Sequence, residues 1–166
     1  MRVLVTAASK YGATEEIAAA IAETLAAEGV EPDVRRVEEV DGLAGYDAVV
    51  LGSAVYMGQW LKVARELVDR HAAELAERPT WLFSSGPVGE PPKPSAEEAV
   101  AVDELVEKSG ARDHRIFAGK LDRSRLRFGD RAVVAAVRAQ EGDFRDWEEI
   151  AGWAREIAAE LGEPAA

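Results

Sequence analysis

The sequence predicts an α/β fold, a doubly wound sheet of five parallel strands with helices on both faces and an extra segment before the last helix. Three observations carry this expectation. Short apolar runs rich in β-branched residues alternate with segments whose apolar positions recur at helical spacing. Residues 47–52 are apolar at four successive positions, Ala48 to Leu51, as in a strand buried on both faces. A length of 166 residues, with 48% hydrophobic and 31% charged, suits one globular core and leaves little room for a second.

Taken in order, Val3-Leu4-Val5 opens the chain as a strand. From Thr14 the period changes: Ile17, Ala18, Ile21, Ala22 and Leu25 share one helical face, Glu15, Glu16 and Glu23 lie opposite, and Gly29 closes the helix. Residues 33–37 read as a short strand and 47–52 as a buried one. A helix is expected over 60–77, a strand over 80–85, and a helix over 95–109 with Ser95, Glu97 and Glu98 at its start. Residues 114–121 give the fifth strand and 147–161 the closing helix. Between them, 123–142 breaks the alternation, and its apolar interior at 132–137 predicts an extra short helix. The Gly- and Pro-rich stretch 86–94 reads as one ordered loop, too short to separate domains.

Composition removes several classes of chemistry. With no cysteine there is no disulfide scaffold, thiolate metal site or thiol nucleophile. A net charge of −11 has the wrong sign for a general nucleic-acid binder. No apolar run approaches membrane-spanning length, and the first strand-like run is too short for a signal peptide, so a cytoplasmic protein is expected. No Asp, Glu or His grouping has metal-ligand spacing, so no metal is expected. The two histidines, His71 and His114, lie far apart without a nucleophile signature, and His71, beside Arg70, reads as a surface residue. A phosphoreceiver would need acidic strand ends where this chain has Thr6-Ala7-Ala8 and Gly52-Ser53.

In an open parallel sheet, ligands bind beyond the carboxyl ends of the strands. Three segments leave those ends. In the first, Ser9, Lys10, Tyr11, Gly12, Ala13 and Thr14 open directly into a helix, where unpaired backbone N–H groups and the positive end of the dipole suit a phosphate. The same residues also suit a turn followed by an ordinary capped helix. The second runs Gly52-Ser53-Ala54-Val55-Tyr56-Met57-Gly58-Gln59-Trp60, in which an aromatic and a thioether between glycines suit a flat ring. Tyr56 equally suits packing on the next helix, and for Trp60 packing is the better reading. The third, Ser84-Ser85-Gly86-Pro87-Val88-Gly89, permits close approach of backbone to ligand. Neither dinucleotide nor P-loop glycine spacing is present.

Together these segments resemble a flavodoxin: Ser9-Lys10-Tyr11-Gly12-Ala13-Thr14 is similar to the family's FMN phosphate loop, Ser/Thr-x-Thr-Gly-x-Thr, with Tyr11 departing at the third position. The resemblance implies strand order 2-1-3-4-5, one FMN-binding domain over 1–162 and a short tail at 163–166. Within the superfamily the chain looks like the flavodoxin-like, menaquinone-dependent protoporphyrinogen oxidases (protoporphyrinogen IX dehydrogenases). The carriers of that likeness are Gly52 to Gly58, the long segment after Gly119-Lys120-Leu121, and the ending Gly142-Asp143-Phe144-Arg145-Asp146-Trp147.

The likeness implies an FMN-dependent oxidoreductase of heme biosynthesis that passes electrons from a reduced substrate to a quinone. The flavin itself would be the catalytic group. Ser9, Lys10, Tyr11, Gly12, Ala13 and Thr14 would hold the phosphate; Ala54, Val55, Tyr56, Met57 and Gly58 would cover the ring; Ser85, Gly86, Pro87, Val88 and Gly89 would border its edge. The alternative is a flavodoxin-type carrier of electrons between protein partners, for which an acidic surface suits basic redox proteins. Charge is unevenly spread, with eight bases against three acids between Arg112 and Arg138. Lys120, Arg123, Arg125 and Arg127 are expected at the flavin entrance, facing an anionic substrate, a partner or the inner membrane surface. A solvated face balancing acidic neighbours is the other reading of that strip.

Overall fold

The computed structural model describes residues 1–10, 12–56, 59–86, 103–117, 120–121, 142–143 and 145–162. β1 (Arg2–Ala8) leads into α1 (Ala13–Ala27), followed by β2 (Glu31–Arg36), β3 (Ala48–Tyr56) and β4 (Gln59–Trp60). Next come α2 (Lys62–Ala76), β5 (Thr80–Ser85), α3 (Asp103–Ser109) and β6 (Asp113–Phe117). β7 (Lys120–Leu121), β8 (Gly142–Asp143) and α4 (Trp147–Gly162) complete the described chain.

The main sheet runs β2-β1-β3-β5-β6, all parallel, with the two-residue β4 turned back antiparallel on β3. Leaving out that short return strand, this is the expected 2-1-3-4-5 order. β1, β3 and β5 are central, which is why Val3-Leu4-Val5 and Ala48-Val49-Val50-Leu51 are fully buried and read as unbroken apolar runs.

Alternation along each strand divides the core. Val3, Val5, Val50, Trp81 and Phe83 pack under α1 and α4, meeting Ile17, Ile21, Leu25, Ile150, Trp153 and Ile157. Leu4, Val49, Leu51 and Leu82 pack under α2 and α3, meeting Ala64, Leu67, Val68 and Leu105. Both faces are thus covered, as the alternation of periods requires. Gly29 ends α1 at φ 87°, with the Val30 N–H reaching back to the Leu25 carbonyl at 3.0 Å.

Several boundaries, and the placement of one side chain, differ from expectation; β2, expected over 33–37, runs Glu31–Arg36. β3 continues through the glycine and serine to Tyr56, so 52–56 is strand rather than loop. α2 begins at Lys62, leaving Trp60 as a strand residue in the hairpin return. The fifth long strand starts at Asp113 and ends at Phe117, while Lys120–Leu121 pairs antiparallel with Gly142–Asp143 in a separate two-stranded ribbon. His71 is no surface residue: its side chain is 12% exposed, it pairs with Glu74 at 3.1 Å, and α2 kinks at it. Residues 95–102 of the third expected helix and the helix expected at 132–137 lie outside the described residues.

β2 is an edge strand, exposed at four of its six residues, and is fastened by a polar cluster. The Tyr46 hydroxyl donates to Asp33 Oδ2, and Arg2 and Arg35 each approach the Asp33 carboxylate at 3.2 Å. The Tyr46 hydroxyl, aided by the two arginines, holds the Asp33 carboxyl below its ordinary 3.8. A depressed carboxyl stabilises the fold above its unfolded value and loses that contribution as pH falls through the folded one. Tyr46→Phe is therefore expected to cost about 1 kcal/mol in urea unfolding at pH 7. The gap from wild type should narrow as pH falls below the ordinary 3.8 and through the lowered folded value; a gap unchanged across that range would assign the loss to packing instead.

Candidate functional site

The parallel register brings the three candidate segments to one sheet edge. Ala8 pairs with Ser53, Ala54 with Ser85, and Ser85 with Phe117, so the carboxyl ends of β1, β3, β5 and β6 stand side by side.

At the first, Ser9 Oγ accepts the Gly12 N–H at 2.8 Å, closing the turn before α1. Gly12 occupies the N-cap at φ 88° and ψ −12°, a left-handed conformation that favours glycine, and no side chain caps the helix. Among the described residues, a Cβ built on Gly12 would meet nothing within 4 Å, which leaves space over the uncapped helix start. Thr14 is only 2% exposed. The two acids of the first turn are drawn to arginines, Glu15 to Arg36 at 3.7 Å and Glu16 to Arg145 at 3.5 Å. An uncapped fifteen-residue helix opening on clear space, with hydroxyls at Ser9 and Thr14, fits a phosphate-bearing cofactor. Tyr11 lies outside the described residues.

The second segment is a hairpin. Val55 pairs with Trp60 and Tyr56 with Gln59, turning β4 back on the end of β3; Met57 and Gly58 lie outside the described residues. Ala54 and Val55 are half-buried. Ser53, fully buried, accepts the Leu61 N–H at 3.0 Å and donates to the Ala54 carbonyl at 2.8 Å, fixing the hairpin base. Of the third segment, Ser85 and Gly86 are described; Pro87, Val88 and Gly89 are not. Gly86 takes φ 84°, and its N–H donates to the Phe117 carbonyl at 2.9 Å. The edge strand β6 therefore holds the start of this segment in place.

Composition and spacing overlooked two sets of residues. His114, set aside for want of a partner, is hydrogen-bonded through Nε2 to Ser84 Oγ at 2.7 Å, and the Trp60 indole N–H donates to the same oxygen at 2.8 Å. Burial pushes the His114 imidazole below its ordinary 6.5, against the pull of the Asp113 and Asp103 charges. Trp60 does pack as expected, at 2% exposure among Ala64, Leu67 and Leu105, but it also joins this polar chain. The other set centres on Arg145. Its side chain is 4% exposed, donates to the Ala13 carbonyl at 3.3 Å and lies 4.6 Å over the Trp147 ring, tying the start of α4 to the start of α1.

Of the expected basic strip, Arg123, Arg125 and Arg127 lie outside the described residues, and Lys120 is placed only by its backbone in β7. Arg112 and Arg115 sit at the start of β6, away from the candidate edge. Arg112 stacks over Trp81, and Arg115 pairs with Asp113 and Glu156. Among the described residues no group of three or more acidic, His or Cys side chains is placed to hold a metal, and no helix is long and apolar enough to cross a membrane.

A family model described as a flavodoxin domain matches residues 4–148. The chain is 28% identical to the protoporphyrinogen IX dehydrogenase (quinone) of Escherichia coli K12, over 95% of each protein. Among solved structures it is similar to a flavodoxin from the domain Archaea, with TM-score 0.68, 19% identity and coverage of 98% of this chain and 100% of that one. The rubredoxin oxygen:oxidoreductase of Desulfovibrio gigas gives TM-score 0.61 and 15% identity, over 96% of this chain and 36% of that one. At those identities the two structures speak for the fold alone.

Proposed function

This chain belongs to the flavodoxin domain family and takes FMN as its cofactor; from that premise we propose that it is an oxidoreductase of the protoporphyrinogen IX dehydrogenase type, passing electrons from a reduced substrate to a quinone. The observation that carries the finer reading is the likeness to the E. coli enzyme over 95% of both chains. Residues 1–162 are the FMN-binding unit. Ser9 and Thr14, with the backbone N–H groups from Lys10 to Thr14, would take the phosphate. Tyr56 would cover one face of the ring with Ala54, Val55, Met57 and Gly58 about it, and the stretch from Ser85 to Gly89 would border its edge. When bound, the cofactor supplies the hydride and electron chemistry. The chain's own task is to hold the ring, exclude water and admit the substrate. No described side chain stands out as a general base, so positioning carries most of the rate.

A simple electron carrier is the second reading, favoured by the net charge of −11, which suits basic protein partners. Anaerobic reductive titration of the FMN-loaded protein separates the two. One two-electron step supports the enzyme; two resolved one-electron steps support the carrier. Rescue of a bacterial strain lacking protoporphyrinogen oxidase then tests the substrate; a place in the cytoplasm, at the inner membrane face where a quinone is reached, goes with that reading as a proposal. Lys120, Arg123, Arg125 and Arg127 are proposed to flank the flavin entrance and meet substrate carboxylates or an acidic partner surface. Replacing Arg123, Arg125 and Arg127 by Gln should leave FMN affinity within about twofold, lower turnover roughly five- to tenfold and flatten its dependence on salt. Unchanged turnover and salt dependence would make the strip a solvated face.

A further inference from the structure

We infer that His114 is a positioning residue of the flavin pocket, holding the return strand of the β3–β4 hairpin through Ser84 Oγ and the Trp60 indole and thereby making FMN uptake sensitive to pH. The inference rests on the reading of this edge as the FMN site.

Three strands that are far apart in sequence meet at one buried hydroxyl. Trp60 of β4 donates into Ser84 of β5 at 2.8 Å, and Ser84 reaches His114 of β6 at 2.7 Å. A serine hydroxyl has one proton and two lone pairs. With the indole N–H committed as a donor, Ser84 accepts from Trp60 and gives its own proton to a neutral His114 Nε2. Every polar atom at the junction is then used.

Protonation reverses the last bond. Nε2 becomes a donor, Ser84 Oγ receives two donors, and the serine proton loses the acceptor it had. In a buried site that loss is not repaid by water. The cost falls on the Ser84 junction that seats Trp60, the last residue of the return strand. The consequence reaches the third segment too, because β6 also holds Gly86 through the Phe117 carbonyl, three residues beyond His114.

The charged groups around His114 come from its own strand and from α2, α3 and α4, and Arg65 of α2 donates to the Trp60 carbonyl at 3.2 Å. β5 and β4 contribute no titratable side chain. On its own strand Asp113 accepts from Arg115 and from the Trp153 indole, and Arg115 also pairs with Glu156 of α4. From α3, Asp103 faces it as a distant anion, while Lys108 is held by Glu104 and by Asp69 of α2. Both aspartates favour the imidazolium, and burial outweighs them. The imidazole is thus neutral at pH 8 and takes its proton only below its ordinary 6.5. If seating FMN fixes the hairpin, it lowers the imidazole's value further, and a drop of about one unit weakens binding about tenfold at low pH.

The test is the FMN dissociation constant, read by quenching of flavin fluorescence, from pH 8 to pH 5. The cofactor phosphate itself titrates near pH 6 and contributes in every variant, so the comparison is between variants. His114→Gln places an amide oxygen where Nε2 accepts but cannot titrate. Wild type should lose about tenfold more affinity than H114Q between pH 8 and pH 5, with the two within about twofold at pH 8. Ser84→Ala removes the junction itself. It should weaken FMN about fivefold at pH 8 and show the shallower profile of H114Q, and it carries the comparison if H114Q does not fold. Riboflavin, which lacks the phosphate, should show the same difference between wild type and variant. Wild type that takes up no FMN at pH 8 overturns the functional reading and this inference with it. Wild type that binds FMN while the non-titrating variants reproduce its pH profile overturns this inference alone.

Discussion

Thr14→Glu should abolish FMN binding while leaving the fold intact. Thr14 is the second residue of α1 and is 2% exposed, at the helix start that fits the phosphate. A phosphate monoester carries about −1.5 to −2 charge at pH 7. A carboxylate introduced within about 4 Å of it is opposed by roughly 4 kcal/mol per unit charge at an effective dielectric of 20. Allowing half of that for relaxation and screening still weakens binding by about 100-fold or more. A carboxylate in the first turn is favourable to the helix dipole, but at a position 2% exposed it also costs stability. The variant should keep its circular dichroism spectrum while melting at a lower temperature, Thr14→Ser should bind FMN nearly as wild type, and riboflavin should bind the Glu variant better than FMN does. The Thr14→Glu variant avoids this outcome only if the phosphate sits elsewhere; FMN affinity within tenfold of wild type would relocate it.

The other large effect is structural and comes from Gly52. A Cβ there would lie 2.2 to 2.4 Å from three atoms of the Phe83 ring, far inside contact distance. The ring has no easy retreat. It packs at 6.1 Å from both Phe117 and Trp153, which are themselves 5.6 Å apart, all of them buried between the sheet and α4. Gly52→Ala should cost about 3 kcal/mol, at the top of the range for overpacking a tight core. A double-mutant cycle identifies the cause. Phe83→Leu alone is expected to destabilise, but in the Gly52→Ala background it should cost less or even restore stability. Simple additivity of the two losses would mean the alanine is not opposed by the ring.

That contact also explains what could be read from sequence and what could not. β1, α1, β5 and α4 were legible because their own apolar positions recur at the strand or helix period, and burial follows that pattern. At Gly52-Ser53 the local chemistry suggests a loop, yet β3 continues, because the glycine answers to a ring on the neighbouring strand and the serine to the Leu61 amide. Neither cause is local. The helix-start character of residues 9 to 14 could be read directly, since a helix N-terminus is made by adjacent residues. The Trp60–Ser84–His114 chain could not, because it exists only once parallel register has placed β5 beside β6 and the hairpin has folded over β5. His71 was misread for a related reason: a polar ring at a helix kink looks exposed until the helix is set against its neighbours.

The edge position of β2 bears on how molecules of this protein meet one another. A parallel sheet that ends in an open strand offers its backbone as a template on which a neighbour can add a further strand. Here the sequence of that strand is Glu31-Pro32-Asp33-Val34-Arg35-Arg36. Proline contributes no N–H to an incoming ladder, and a paired chain would have to align against two acids followed by two bases, with Val34 as the strand's single exposed apolar residue. The cluster that fastens Asp33 to Tyr46 and Arg2 turns charge that guards the rim into charge that also anchors it. Sheet-to-sheet polymerisation through this side is thereby discouraged even at high protein concentration, without any loss of the central strands' unbroken hydrophobicity.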